Sequence, residues 1–163
     1  MSKPVKPTRP LKLKQVILTY SIYGMDDMKT LIVKSKPCGG CSAYASFYRI
    51  TRNGKRVGCK VWDYKSAANM NMCRQKKAHA GKVGPRVLSN VMLIKDKRGN
   101  EIGYGFLTEI AKVRDSYTYT VEQEERLQAK FKKVFGFEHC DFHEGNVGYV
   151  KRRLVFIDFD PME

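Results

Sequence analysis

Two segments near the end of the chain contain the side chains best suited to chemistry. Residues 139–146 read His-Cys-Asp-Phe-His-Glu-Gly-Asn, and residues 154–160 read Leu-Val-Phe-Ile-Asp-Phe-Asp. Asp141 could accept a proton from a hydroxyl group. Asn146 and Asp158 offer the oxygen ligands that Mg²⁺ prefers. The pattern therefore predicts a site that holds a metal ion against nucleotide phosphates beside a carboxylate base.

The spacing from His139 to Asn146 resembles the H-R-D-x-x-x-x-N catalytic loop of protein kinases, with Cys140 in place of the arginine. Asp158 then takes the position of the metal-binding Asp of D-F-G. The chain thus resembles the protein-kinase-like superfamily, and particularly its short bacterial and phage members. The resemblance implies Asp141 as the catalytic base, Asn146 and Asp158 as Mg²⁺ ligands, and ATP as the phosphate donor. It also implies that His139 packs and hydrogen-bonds within the loop.

A lysine in a predicted strand extends the resemblance. Asn53-Gly54 is a hairpin turn signal, and residues 57–62 read Val-Gly-Cys-Lys-Val-Trp, a buried-strand pattern with Lys60 embedded in it. This strand resembles the V-A-I-K strand of kinases, which implies that Lys60 contacts nucleotide phosphates. A lysine on the solvent side of an edge strand would produce the same pattern.

Residues 37–50 read as a glycine-rich turn that enters a strand. Small residues allow backbone N–H groups to approach phosphates closely. The segment resembles the kinase glycine-rich loop without the full G-x-G-x-x-G pattern, and this implies phosphate contacts from Gly39, Gly40 and Ser42. Residues 108–111 resemble the hinge, which implies that backbone groups of Glu109 and Ala111 bind adenine.

A metal site is a competing interpretation of the cysteines. Cys38-x-x-Cys41 supplies two thiol ligands, whereas structural zinc normally has four protein ligands. His139, Cys140 and His143 have suitable types, although their spacing is not that of a usual zinc finger. The five cysteines of the chain are otherwise expected to be free thiols.

One element of the kinase pattern is missing. The family places a Glu on the helix after the lysine strand, where it forms an ion pair with that lysine. Residues 64–95 contain no Asp or Glu. Gln75 is the best positional substitute and Asn71 the second, and neither supplies a negative charge. An alternative for Gln75 is an exposed position on the helix.

The local patterns predict most of the secondary structure. Ser66 is a plausible N-cap, and Thr120 begins a capping box before an apolar stripe of helical period. For residues 15–22 the pattern does not distinguish helix from strand. The predicted elements are helices over 66–80 and from Thr120, and strands over 87–94, 102–110, 147–150 and 154–157. The last two strands would place Asn146 and Asp158 at the same end of a hairpin.

Length and hydrophobic content predict one folded domain or two small lobes, since the chain has 163 residues of which 42% are hydrophobic. The resemblance implies an α+β fold of the two-lobe kinase type, with an antiparallel N-lobe sheet plus one helix and a minimal C-lobe. We expect a basic N-terminal arm and extension over residues 1–36, an N-lobe over 37–111, and a truncated C-lobe with the catalytic loop over 112–163.

Charge is distributed unevenly along the chain. Residues 1–95 contain 20 Lys or Arg and 3 Asp or Glu, a balance of +17, whereas residues 96–163 contain 11 and 13, a balance of −2. The basic half favours an acidic partner, either a protein or nucleic acid, and solubility explains it equally well. No apolar run approaches the ~18 residues that span a bilayer. The N-terminus lacks the apolar core of a signal peptide, so we expect no membrane association and a cytoplasmic location.

The sequence therefore predicts an ATP- and Mg²⁺-dependent Ser/Thr protein kinase. Its compact size and basic character resemble those of phage-encoded kinases that modify host proteins, which would place it in the host cytoplasm. The alternative is a catalytically weak kinase-like protein that grips nucleic acid or an acidic protein through residues 1–95. A small-molecule kinase ranks last, because a basic protein repels cationic acceptors.

Overall fold

A computed structural model describes residues 16–20, 28–34, 36–38, 45–113 and 119–159. The described residues form eight β-strands, two α-helices and one 3₁₀ turn, which confirms the α+β class. The chain divides into two compact units. Unit 1 consists of Met1–Met70 and Leu88–Thr108, and unit 2 of Asn71–Val87 and Glu109–Glu163.

Unit 1 contains a six-stranded mixed sheet with the strand order β1-β2-β5-β6-β4-β3. Strands β3 to β6 pair antiparallel, as predicted for the N-lobe range. The addition of β2, which pairs parallel with β5, makes the whole sheet mixed instead of antiparallel. The strands are β1 (Val16–Tyr20), β2 (Lys29–Val33), β3 (Ser46–Arg52), β4 (Lys55–Trp62), β5 (Met92–Asp96) and β6 (Glu101–Thr108).

The turn between β3 and β4 has the conformation that its sequence predicts. Asn53 and Gly54 have φ values of 50° and 75°, the left-handed pair that a two-residue hairpin of the primed type requires. Asn and Gly are the residues that adopt this region most readily. Sequence alone therefore located the β3–β4 hairpin and, with it, the strand that carries Lys60.

Helix α1 (Lys65–Ala80) begins one residue before the predicted cap and ends at the predicted position. The boundary between the two units falls within α1, after Met70. The buried face of this helix consists of small and amide side chains: Ala68, Asn71, Gln75 and Ala78. After the helix, Val83 accepts a backbone hydrogen bond from Phe156, which attaches this connection to the last strand of unit 2.

Helix α2 (Val121–Phe135) has the predicted capping box, in which Thr120 and Gln123 satisfy each other's backbone N–H groups. Its stripe buries Leu127 and Phe131 in the core of unit 2. A 3₁₀ turn (Glu144–Asn146) then leads into the hairpin of β7 (Val147–Val150) and β8 (Arg153–Phe156), close to the predicted boundaries.

The structure changes the bounds of one predicted strand and decides the conformation of a segment that the sequence left open. The strand predicted over 87–94 lies over Met92–Asp96, because its ladder with β6 begins only at Met92, which pairs with Gly105. Val16–Tyr20, for which helix and strand were both open, is a strand. No helix in the described part of the chain is long and apolar enough to cross a membrane.

Candidate functional site

The 139–146 loop begins with a backbone clamp from α2. The Oε1 atom of Gln128 accepts the His139 N–H at 2.9 Å, and the Nε2 atom of Gln128 donates to the His139 carbonyl at 3.0 Å. Because α2 is anchored through the buried Phe131, this pair of bonds fixes the first residue of the loop to a rigid element. The sequence contained no signal for this role of Gln128.

The His139 ring connects the loop to the segment after β8. Its Nδ1 atom accepts the Asp141 N–H at 3.1 Å, so the hydrogen of the neutral ring lies on Nε2, which donates to the Asp158 carbonyl at 2.7 Å. The ring is only 3% exposed and stacks on Phe156 with centroids 4.3 Å apart. The predicted packing and hydrogen-bonding role of His139 is therefore confirmed.

Asn146 ties the end of the loop to Asp141. Its Nδ2 atom donates to the Asp141 carbonyl at 2.8 Å and to the Asp141 Oδ2 at 3.0 Å. Both amide hydrogens of this 6% exposed side chain are thereby used. Its Oδ1 atom is the oxygen that the sequence predicts as a metal ligand.

Asp141 and His143 lie side by side at the surface. Their side chains are 55% and 52% exposed, and the His143 Nε2 is 3.5 Å from the Asp141 Oδ2. The His143 Nδ1 accepts the Gly145 N–H at 3.0 Å, so Nε2 carries the hydrogen of the neutral ring and faces the carboxylate. A Cβ atom at Gly145 would lie 3.0 Å from the ring, so glycine permits this arrangement. Asp141 is thus oriented from two sides while its carboxylate remains exposed to solvent.

Asn146 and Asp158 lie at the same end of the β7–β8 hairpin, as predicted. The Ile157 N–H donates to the Asn146 carbonyl at 2.9 Å, directly before Asp158. The next residue, Phe159, is buried, and its carbonyl accepts a hydrogen bond from the Arg74 Nη1 at 3.1 Å. The backbone on both sides of Asp158 is therefore anchored.

The Asn146 Oδ1 and the Asp158 carboxylate are the two oxygens that the sequence predicts as Mg²⁺ ligands. Mg²⁺ is commonly held by one or two protein oxygens together with substrate phosphates and water. Within the described residues, no group of three or more His, Cys, Asp or Glu side chains could hold a metal. His139 is also unsuitable as a zinc ligand, because both of its ring nitrogens are bonded to backbone groups.

Lys60 lies on β4 in unit 1, where its backbone pairs with Phe47 and Phe106. It is half-buried. A Cβ atom at Gly105 would lie only 2.1 Å from the Lys60 carbonyl, so glycine is required for β6 to pass this close. The neighbouring Cys59 is fully buried, which raises the pKa of its thiol to about 12 and keeps it protonated at neutral pH. Its role is therefore structural.

The predicted phosphate-binding residues Gly39, Gly40 and Ser42 lie outside the described residues. The chain on either side of them is paired, because the Cys38 N–H donates to the Phe47 carbonyl at 2.7 Å. The zinc candidate Cys41 is likewise outside the described range. The four cysteines within it, Cys38, Cys59, Cys73 and Cys140, are free thiols.

The predicted adenine-binding residues lie in unit 2. The Glu109 N–H donates to the Arg86 carbonyl at 3.0 Å, and the Glu109 Oε1 accepts the Arg86 N–H at 2.6 Å. The Glu109 N–H is thus bonded within the chain. Ala111 lies against β7, where a Cβ atom at Gly148 would be 3.1 Å from the Ala111 Cβ.

Gln75 is not the exposed helix residue that one interpretation proposed. Its side chain is 0% exposed, and its Nε2 donates to the Pro85 carbonyl at 3.2 Å. Asn71 is also buried. The two amides that were considered as substitutes for the family's Glu therefore belong to the buried face of α1. Pro85 follows α1 in the chain, so Gln75 fastens this connection to the helix.

No protein-family model matches the chain, and no curated protein matches its sequence. Function must therefore be inferred from the residues and their geometry. The strongest functional geometry lies in unit 2, where the buried His139 ring bonds to the backbones of Asp141 and Asp158, and Asn146 donates to Asp141.

Proposed function

We propose that the chain is an ATP- and Mg²⁺-dependent phosphotransferase of the protein-kinase-like type, acting on Ser or Thr hydroxyl groups of proteins. One observation carries the proposal. The buried His139 ring binds the backbone of Asp141 through Nδ1 and that of Asp158 through Nε2. By bonding to both backbones, this histidine fixes the positions of Asp141 and Asp158 relative to each other, which phosphotransfer by these two residues would require.

Asp141 suits the role of base and positioning group. Phosphoryl transfer depends mainly on the positioning of the reactants and on the stabilisation of charge, so an oriented carboxylate contributes before any proton moves. Asn146 and His143 hold the Oδ2 side of Asp141, and the exposed carboxylate can accept a hydrogen bond from an acceptor hydroxyl. The acceptor proton would pass to Asp141 as the acceptor oxygen bonds to the γ-phosphorus of ATP, and the bond from that phosphorus to the bridging oxygen would break to release ADP.

Asn146 and Asp158 would hold the metal ion through the Asn146 Oδ1 and the Asp158 carboxylate. When bound, Mg²⁺ supplies neutralisation of charge on the phosphate oxygens. The chain's own contribution is to keep the two oxygen donors at one end of a hairpin, where the backbone bond from Ile157 to Asn146 maintains them. Lys60 stays a prediction as a phosphate contact, and a separate Lys60→Met variant tests it.

The charge of the chain is consistent with anionic substrates. Residues 1–95 have a balance of +17, which attracts nucleotide phosphates and acidic proteins over long range. The proposed setting is the cytoplasm, and the host cytoplasm if the chain is phage-encoded. The proposed acceptors are proteins with acidic surfaces.

The test is transfer of labelled phosphate from ATP to the chain itself or to proteins of a cell lysate. We expect Asp141→Asn to reduce the rate by about 10²- to 10⁴-fold, since it keeps an oxygen acceptor for Asn146 and removes the base. Asp158→Asn should abolish the Mg²⁺-dependent rate. Glu138→Gln is the matched control, because Glu138 is an exposed acid just before the loop. Equal rates in the wild type and in both Asp variants would contradict the proposal.

A catalytically weak, kinase-like binding protein is the second candidate. It is favoured by the lack of any acid over residues 64–95 and by the hydrogen bond of Gln75 to Pro85. Thermal denaturation with and without Mg-ATP separates the two candidates when it is combined with the transfer assay. A shift in melting temperature without phosphate transfer indicates a nucleotide-binding protein with little turnover. If Mg-ATP causes neither a shift nor transfer, the proposal of a nucleotide site is wrong.

A further inference from the structure

We propose that unit 2 carries a binding site for the phosphate backbone of nucleic acid at the place where the C-terminal ends of α1 and α2 meet. The site, named the lysine patch here, consists of five exposed lysines: Lys76, Lys77, Lys82, Lys132 and Lys133. It shares no residue with the candidate catalytic site. It therefore does not depend on the proposed phosphotransfer.

Two contacts bring the helix ends together. The Lys77 Nζ lies 5.3 Å from the centroid of the Phe135 ring, a cation–π distance. A Cβ atom at Gly81 would clash with the Val134 Cγ2, so glycine lets the end of α1 lie close to α2 without a shift of Val134. The lysines of both helix ends consequently belong to one end of unit 2.

Acidic residues are few around the lysine patch, and the nearest in the chain is the exposed Glu138, five residues after Lys133. Residues 64–95 contain no Asp or Glu, so the α1 end and its connection carry positive charge only. The acids within α2 are Glu122, Glu124 and Glu125, which lie at the opposite, N-terminal end of that helix. Although residues 96–163 have a balance of −2, the last turn of α2 carries Lys132 and Lys133 and no acid.

Helix dipoles explain only part of this charge. Cations in the last turn of a helix interact favourably with its negative end, which applies to Lys77 in α1 and to Lys132 and Lys133 in α2. Lys76 precedes that turn, and Lys82 lies beyond the helix with a positive φ of 61°. Five like charges at two touching helix ends also repel one another. Such a surface concentrates polyanions because the potentials of its charges add.

The composition of the lysine patch favours nucleic acid over an acidic protein. Protein interfaces are depleted in Lys and rely on aromatic or aliphatic anchors, whereas Lys contacts to phosphates supply sequence-independent affinity for nucleic acid. None of the large hydrophobic residues that are exposed in the described part of the chain belongs to α2 beyond its first residue or to the end of α1. The patch thus offers charge without an anchor, which suits a phosphate backbone.

The experiment measures binding of the full chain to a labelled duplex DNA and a labelled single-stranded RNA over a range of salt concentrations. We expect the Kd for duplex DNA to rise on the order of several hundred-fold between about 50 and 200 mM salt, if five phosphates are neutralised. The duplex and single-strand arms distinguish the two sources of the phosphate backbone.

The test variant combines Lys76→Gln, Lys82→Asn, Lys132→Gln and Lys133→Gln. It leaves Lys77 in place over Phe135, and Asn tolerates the positive φ of residue 82. We expect the slope of log Kd against log salt to fall by about 3 to 4 for duplex DNA. A control variant removes the same number of charges from exposed hairpin positions of unit 1: Lys55→Gln, Arg56→Gln, Lys97→Gln and Arg98→Gln.

The control variant should keep its slope within about 1 of the wild type. Circular dichroism of both variants verifies that they remain folded. The proposal is overturned if the wild type does not bind either nucleic acid at low salt, or if the control variant loses as much affinity as the test variant. Competition by polyglutamate that equals competition by unlabelled DNA would reassign the lysine patch to an acidic protein.

Discussion

The two helices of the chain are held in place by different interactions. Helix α2 has a capping box at its start, a left-handed glycine at its end and an apolar stripe centred on Phe131. Helix α1 has no acid in its first turn, and the buried face of its C-terminal half contains Asn71, Gln75 and Ala78. The apolar area that these side chains can bury is small.

The two helices differ in the kind of interaction that holds them: apolar packing holds α2, and hydrogen bonds hold the C-terminal half of α1. Phe131 alone accounts for a large share of the apolar contacts of α2, since its ring packs against Phe135, Phe137, His139 and Phe156. The C-terminal half of α1 is held instead by specific bonds and close approach, from Gln75 to Pro85 and from Arg74 to Phe159. Helix α2 thus supports the 139–146 loop through apolar packing, whereas helix α1 leaves its charged C-terminal end exposed.

Replacement of Phe131 by Ala should have the largest effect on this comparison. The side chain is fully buried, and its loss leaves a cavity next to the His139 ring, so we expect the free energy of unfolding to fall by about 3 to 5 kcal/mol. Urea denaturation followed by far-ultraviolet circular dichroism measures the loss. Phe131→Leu is the matched control and should cost much less. A loss below about 1 kcal/mol for Phe131→Ala would mean that α2 does not depend on apolar burial.

Replacement of Gln75 by Ala should have an intermediate effect. It removes the hydrogen bond to the Pro85 carbonyl inside a buried region, and we expect a loss of about 2 to 3 kcal/mol. Lys76→Ala is the control, because Lys76 is the next residue and is exposed. If both variants unfold at the same urea concentration, the polar face of α1 contributes nothing and the contrast with α2 fails.

Replacement of Thr120 by Ala should have the smallest effect, a loss of about 1 kcal/mol through the N-cap, and Thr120→Ser should retain most of the stability. The same change provides a local readout at Glu122. Hydrogen bonds from the backbone N–H of Glu122 and from the Thr120 hydroxyl lower the pKa of this carboxyl group. We expect Thr120→Ala to raise that pKa towards its ordinary value in an NMR titration.

The sign of the Glu122 effect follows from its lowered pKa. The contribution of the ionised carboxylate is present above the pKa of glutamate in the unfolded chain, and it is lost as the pH falls through the lowered pKa of the folded chain. Thr120→Ala should therefore weaken this dependence on acid pH. An unchanged Glu122 titration would show that the Thr120 hydroxyl does not reach the carboxylate.

Local patterns predicted the elements whose causes are local. The Asn53-Gly54 turn, the end of α1 and the capping box at Thr120 each depend on residues within one turn of chain. The placement of Asn146 and Asp158 at one end of the hairpin was also predictable, because a short hairpin joins them and its two-stranded register determines their positions. The kinase resemblance named these residues, and the hairpin explains why they lie together.

The sequence by itself determined the types and spacing of the candidate site residues, the distribution of charge and most helix and turn boundaries. Tertiary structure decided the contacts between residues far apart in the chain: the parallel pairing of β2 with β5, the bond from Arg74 to Phe159 across 85 positions, and the clamp of Gln128 on His139. It also decided that Gln75 is buried. The reason is physical, since a polar side chain is buried only where a partner exists, and its partner is known only once the chain has folded.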